Sequence, residues 1–138
     1  MDIREITPRY SVSPQINPED LAAIKAAGFT KVICNRPDIE VPPSHHAEAM
    51  AEAALAAGLE FFALPLTHQT MTPDNVAAQM AAADASEGPV LAYCASGTRC
   101  SVVWSLGQKG KLTADEILSA TARAGYDLSG LRPALEQT

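Results

Sequence analysis

"GPVLAYCASGTRC" (residues 88–100) is the stretch on which the fold turns. The apolar run Val90, Leu91, Ala92, Tyr93 stops on Cys94. Small residues and Gly97 follow, then Arg99 and a helical pattern with apolar positions at Val102, Val103 and Leu106. A continuous apolar run closed by a glycine-bearing turn and a helix start reads as a buried strand of a parallel sheet. Ligands in open parallel sheets bind beyond the carboxyl ends of strands, and Cys94 stands at such an end. Gly97 can take positive φ and let the backbone approach a ligand. Successive N–H groups in this turn, added to a helix N-terminus, form a cradle for an anion. The same field favours a thiolate at Cys94, and Arg99 supplies a planar fork of donors for an oxyanion.

Outward from that loop the pattern alternates. Strands are expected at 9–14, 30–35, 60–66 and 88–94. Helices are expected at 17–28, 44–58, 72–86, 99–108 and 113–125, with a short one at 128–136. Punctuation supports these limits. Asn17, Ser44, Thr72 and Thr113 stand at N-cap positions, Pro18 and Pro73 suit first turns, and Gly28, Gly58 and Gly125 are stops. Thr113 and Glu116 have capping-box spacing. Three prolines make 36–43 a loop, and 67–73 is another. Strand–helix alternation implies an α/β, three-layer architecture: a mostly parallel sheet of four or five strands with helices on both faces. At 138 residues a single domain over 1–138 is expected.

The formal net charge of -6 argues against nucleic-acid or anionic-membrane binding, which needs clustered positive charge. No apolar stretch is long enough to span a bilayer, and "MDIREITPRY" lacks the core of a signal peptide. Three cysteines, Cys34, Cys94 and Cys100, do not make a disulfide framework, so a cytoplasmic chain with free thiols is expected. Neither a cofactor nor a metal is expected, because the His and Cys residues lack ligand spacing.

"C-x4-R" after a buried strand resembles the active loop of the rhodanese-like and protein-tyrosine-phosphatase-like superfamily. "INPEDLAAIKAAGFTKVICNRPDIE", "ALPLTHQTMTPDNV", "PVLAYCASGTRC" and "GYDLSGLRPAL" resemble, in order and spacing, the DUF442 family, the phosphatase-like domain also found in beta-lactamase-hydrolase-like proteins. The resemblance runs from about residue 5 to 135. It implies a cysteine-phosphatase-type fold, a bacterial cytosolic protein, and either sulfur transfer or phosphate-ester hydrolysis. Two positions depart from the family pattern: Ala95 stands where arginine is common, and Cys100 where serine is common.

Only four residues, Ala95, Ser96, Gly97 and Thr98, separate Cys94 from Arg99, whereas cysteine phosphatases have five. The smaller cradle suits one sulfur carried on Cys94. The favoured reading is therefore a sulfurtransferase that passes sulfane sulfur through a Cys94 persulfide, acting on a small anionic or persulfide substrate. Any persulfide-oxidising enzyme working with it is expected on a separate chain. The alternative is a phosphatase of the tyrosine or dual-specificity type using a Cys94 phosphocysteine, and a second alternative is a non-catalytic thiol or anion sensor. In each, Cys94 and Arg99 are the principal residues, the 95–99 backbone holds the anion, and Ser96 and Thr98 can add hydroxyl donors.

A phosphatase also needs a general acid. His68 lies nearest the expected place, with Asp38 the other candidate and Asp74 a helix first-turn residue. Arg36 and Asp38 either line and orient the pocket or pair with each other to pin the Pro37 turn. Cys100 either attacks an oxidised or persulfidated Cys94, giving a disulfide, or is a small buried substitute for serine. His45 and His46 read as exposed first-turn residues and Cys34 as core.

Overall fold

Every residue of the strand Val90–Tyr93 is buried, because helices cover the sheet on both sides. The computed structural model describes residues 1–137. In chain order its strands are β1 (Arg4–Thr7), β2 (Tyr10–Ser13), β3 (Lys31–Cys34), β4 (Glu60–Ala63) and β5 (Val90–Tyr93). Its helices are α1 (Leu21–Ala26), α2 (Ala47–Ala56), α3 (Pro73–Asp84), α4 (Thr98–Gly107), α5 (Ala114–Arg123) and α6 (Arg132–Glu136). The sheet order is β1-β2-β5-β3-β4, with β1 antiparallel to β2 and every other pairing parallel.

Side-chain alternation divides the core into two layers. Val90 and Ala92 of β5 join Tyr10, Val12 and Ile33 against Met80 of α3, Trp104 of α4, Ile117 of α5 and Leu135 of α6. Leu91 and Tyr93 join Val32 and Cys34 against Leu21 and Ile24 of α1 and Met50 and Ala54 of α2. The expected three-layer, mostly parallel architecture is the one observed.

The helix expected at 17–28 opens with a 3-10 turn at Pro18–Asp20, and α1 itself covers only Leu21–Ala26. Three further local expectations need correction. No strand was expected at Arg4–Thr7, whose charged and polar residues hide it. It forms because β2 otherwise presents an open edge. The helix expected at 44–58 starts only at Ala47, after a 3-10 turn at Pro43–His45. Ser44 is not its cap: its hydroxyl pairs with His45 Nδ1 at 2.8 Å, while Asp38 Oδ1 accepts from the Ala47 N–H at 2.8 Å. The strand expected at 60–66 ends at Ala63 as Pro65 approaches, although Leu64 and Leu66 still donate to Cys34 and Asn35 carbonyls at 2.9 Å. Thr72 and Thr113 cap as read: Asn75 N–H donates to Thr72 Oγ1 (3.2 Å), and Thr113 and Glu116 form a reciprocal box (2.9 and 3.1 Å).

Two buried amides tie the layers together beneath the loop. Asn35, just past β3, and Gln79 of α3 exchange side-chain hydrogen bonds at 2.9 Å in each direction. Gln79 also donates to the Tyr10 hydroxyl (3.2 Å), and that hydroxyl donates to the Cys100 carbonyl in the first turn of α4 (2.9 Å). A polar chain thus runs from the end of β3 to the helix that follows Cys94.

Candidate active site

Cys94 lies one residue past β5, and its N–H reaches back to the Ser13 carbonyl at 3.4 Å. The chain then bends at Gly97, φ 92°, and enters α4. The Gly97 N–H donates to Cys94 Sγ at 3.1 Å. Cys94 is buried, yet its ionised form is favoured. The Cys100 thiol, hydrogen-bonded to it, lowers its pKa most. Burial opposes, and the backbone N–H groups of Cys100, Gly97 and Ser96 add to the lowering, which reaches about 5. Cys100 moves the opposite way, pushed up by burial and by the neighbouring sulfur. At neutral pH this pair is a thiolate accepting from a thiol.

Arg99 is at the mouth of the loop, but its guanidinium is engaged by Glu40 and the Leu66 carbonyl and makes no hydrogen bond to the sulfur. Nη1 and Nη2 clasp the two oxygens of Glu40 at 2.9 and 2.7 Å, and Nη1 also donates to the Leu66 carbonyl at 2.8 Å. Among the described residues nothing accepts from its Nε–H. The Arg99 fork, which keeps the Glu40 carboxyl below the usual carboxylate range, is assisted by Arg36. The negative Cys94 sulfur is a further influence holding Arg99 charged.

A cleft of about 340 Å³ opens over the loop, lined by Glu40, Thr67, His68, Gln69, Ala95, Ser96, Thr98 and Arg99. His68 is therefore at the site. Arg36 is not in that lining. It donates to Glu40 Oε1 (3.2 Å), the Glu40 carbonyl (3.3 Å) and Gln15 Oε1 (3.1 Å), bracing the carboxylate that Arg99 holds. Asp38 is spent on capping α2, so the pairing of Arg36 with Asp38 considered from the sequence is replaced by Arg36 with Glu40. The hydroxyls of Ser96 and Thr98 bond to each other at 2.9 Å instead of pointing separately into the cradle. His45 contacts Asn17 Oδ1 and His46 the Val41 carbonyl, both away from the cleft. Cys34 is core, with its thiol on the Arg36 carbonyl at 3.4 Å. No group of His, Cys, Asp and Glu among the described residues is arranged to hold a metal ion, and no helix among them is long and apolar enough to cross a membrane.

Sequence reasoning missed Glu40 and Tyr126. Tyr126 Oη donates to the Ser96 carbonyl at 2.9 Å, on the outer side of the bend. A Cβ at residue 97 would collide with that hydroxyl. The only sequence signals were the quoted segments "NRPDIE" and "GYDLSG", neither of which says what it touches.

Known proteins resemble this chain in sequence and fold. The family model of the beta-lactamase hydrolase-like protein, phosphatase-like domain, matches residues 2–111. A beta-lactamase hydrolase-like protein of Xylella fastidiosa is 31% identical over 130 residues, which is 93% of this chain and 30% of that protein. The chain thus spans about a third of the length of the curated relatives it matches. The crystal structure of a candidate phosphatase from Neisseria meningitidis is similar at a TM-score of 0.87 and 30% identity, covering 99% of this chain and 97% of that one. A DUF442 candidate phosphatase from Shewanella putrefaciens has a TM-score of 0.75 at 22% identity, covering 97% and 85%, and shares the fold.

Proposed function

We propose a sulfur-transfer function for this chain, which belongs to the family of the phosphatase-like domain of beta-lactamase hydrolase-like proteins. Cys94 is the nucleophile, the N–H groups of the loop hold the charge, and Arg99 serves the incoming anion. The thiolate attacks the outer sulfur of a persulfide: Cys94–S⁻ and R–S–SH give Cys94–S–SH and RS⁻. The sulfane sulfur keeps its proton, and the leaving thiolate takes the electron pair. An acceptor thiolate then takes the sulfur by the same exchange and restores Cys94–S⁻.

One observation carries this choice. Among the described residues the one carboxylate lining the cleft is Glu40, and it is held ionised by two guanidinium groups. It has no proton to give an alkoxide. A thiol leaving group, with an ordinary pKa near 8.5, departs as the anion without help. The short Cys94-to-Arg99 loop supports the same reading.

Phosphoester hydrolysis through a Cys94 phosphocysteine is the second reading, and the comparisons favour it. The family is described as phosphatase-like, and the Neisseria relative is a candidate phosphatase at 30% identity. His68 at the cleft would then be the proton donor, and aryl phosphates, whose phenols have a pKa near 10, would be the most reactive esters.

A paired assay separates the two. Wild type and Cys94→Ser are given glutathione persulfide or thiosulfate with an acceptor thiol, and separately an aryl phosphate. We expect sulfur transfer by the wild type that disappears in the variant. Phosphate release without sulfur product reverses the order. Binding without turnover, or turnover surviving in Cys94→Ser, overturns both.

A further inference from the structure

Tyr126 approaches the loop from the side opposite the sulfur. Its hydroxyl donates to the Ser96 carbonyl at 2.9 Å. That carbonyl and the Gly97 N–H belong to one planar trans peptide, so they point in opposite directions. Holding the C=O on Tyr126 holds the N–H on Cys94 Sγ, 3.1 Å away. A peptide beside a glycine is otherwise easy to rotate, because glycine tolerates most backbone conformations. Rotated, it would turn a carbonyl oxygen on the sulfur and repel a thiolate. Residue 97 must be glycine for two reasons: its φ is positive, and a Cβ would displace the Tyr126 hydroxyl.

The tyrosine is itself seated. The Arg4 guanidinium of β1 lies over its ring, 5.4 Å from the centroid, and donates to the Ala124 carbonyl at 3.2 Å. Burial pushes the phenol up and Arg4 offsets this only in part, so the hydroxyl keeps its proton and stays a donor.

We propose that Tyr126 is a positioning residue for the Cys94 chemistry: its hydroxyl sets the Ser96–Gly97 peptide so that the Gly97 N–H faces the sulfur. The inference rests on the reading that Cys94 reacts as a thiolate. The ionisable groups that influence this sulfur are Arg99 and Cys100 of α4, Tyr10 of β2, Cys34 of β3 and Tyr126 after α5. Arg4 and Asp2 are those acting on Tyr126 from the N-terminal segment. Tyr126→Phe removes one oxygen and leaves all the other groups in place.

The test is the pH profile of Cys94 alkylation by iodoacetamide, read by peptide mass spectrometry so that Cys34 and Cys100 are scored separately. The wild-type midpoint is expected near 5. In Tyr126→Phe the midpoint rises by about one pH unit, so alkylation below both midpoints slows about tenfold while the high-pH plateau changes little. An unchanged midpoint in folded Tyr126→Phe overturns the proposal. Should that variant not fold, Arg4→Gln decides: a smaller upward shift supports the proposal, and an unchanged midpoint overturns it. A wild-type midpoint near 8.5, the ordinary thiol value, instead overturns the thiolate reading itself.

Discussion

Cys94 couples its chemistry to the stability of the fold. Its pKa falls from the ordinary thiol range to about 5 on folding. Between those values the unfolded chain binds the extra proton, so stability rises with pH. The contribution is full above pH 9 and is lost as pH falls toward 5, with a limiting slope of about 1.4 kcal/mol per pH unit. Cys94→Ser lacks this term. Urea unfolding at pH 6 and pH 8, under reducing conditions, should show the wild type gaining on Cys94→Ser at the higher pH. A gap that does not change with pH counts against a thiolate in the native state. The sulfur's environment was readable from sequence because its main parts — strand end, glycine bend, helix start and Cys100 — lie within seven consecutive residues. Its partner thiol was visible too, although not that its first effect is to donate to the thiolate.

Helix α2 shows where such reading stops. Its cap comes from Asp38, nine residues before the N–H it accepts. Thr72 and Thr113 cap from three residues away and are evident in the sequence. A cap delivered by a preceding loop is not, since it depends on how 36–46 folds back. Asp38→Ala should therefore cost about 1 kcal/mol in chemical denaturation, as the loss of a helix cap does. The Cys94 alkylation profile should stay as in wild type. A changed profile would return Asp38 to the site. The same loop delivers Glu40 to Arg99, a contact of 59 residues' separation that no spacing rule could show. The choice between sulfur and phosphorus chemistry turns on that contact.

The architecture as a whole was legible because apolar runs and punctuation alternate along nearly the full chain. The edge strand β1 was not, because its residues look like solvent-facing loop and its pairing depends on β2. The internal polar links were equally hidden. Asn35 and Gln79 lie on different elements, 44 residues apart, and both are fully buried. Gln79→Leu leaves the Asn35 amide and the Tyr10 hydroxyl short of partners and should destabilise by about 2 kcal/mol. Joined with Asn35→Leu, the loss should be less than the sum of the two single changes, because both polar groups are then gone. Additive losses would mean that the amides act independently.

The hydrogen bond from Tyr126 to Ser96 has a temporal side as well. A ribosome releases Cys94 well before Tyr126, and the strap cannot close until the later residue has emerged and docked. A nascent chain halted in between lacks the hydroxyl that holds the Ser96–Gly97 peptide. Full reactivity toward electrophiles and oxidants is thereby deferred until the segment after α5 has docked on the loop.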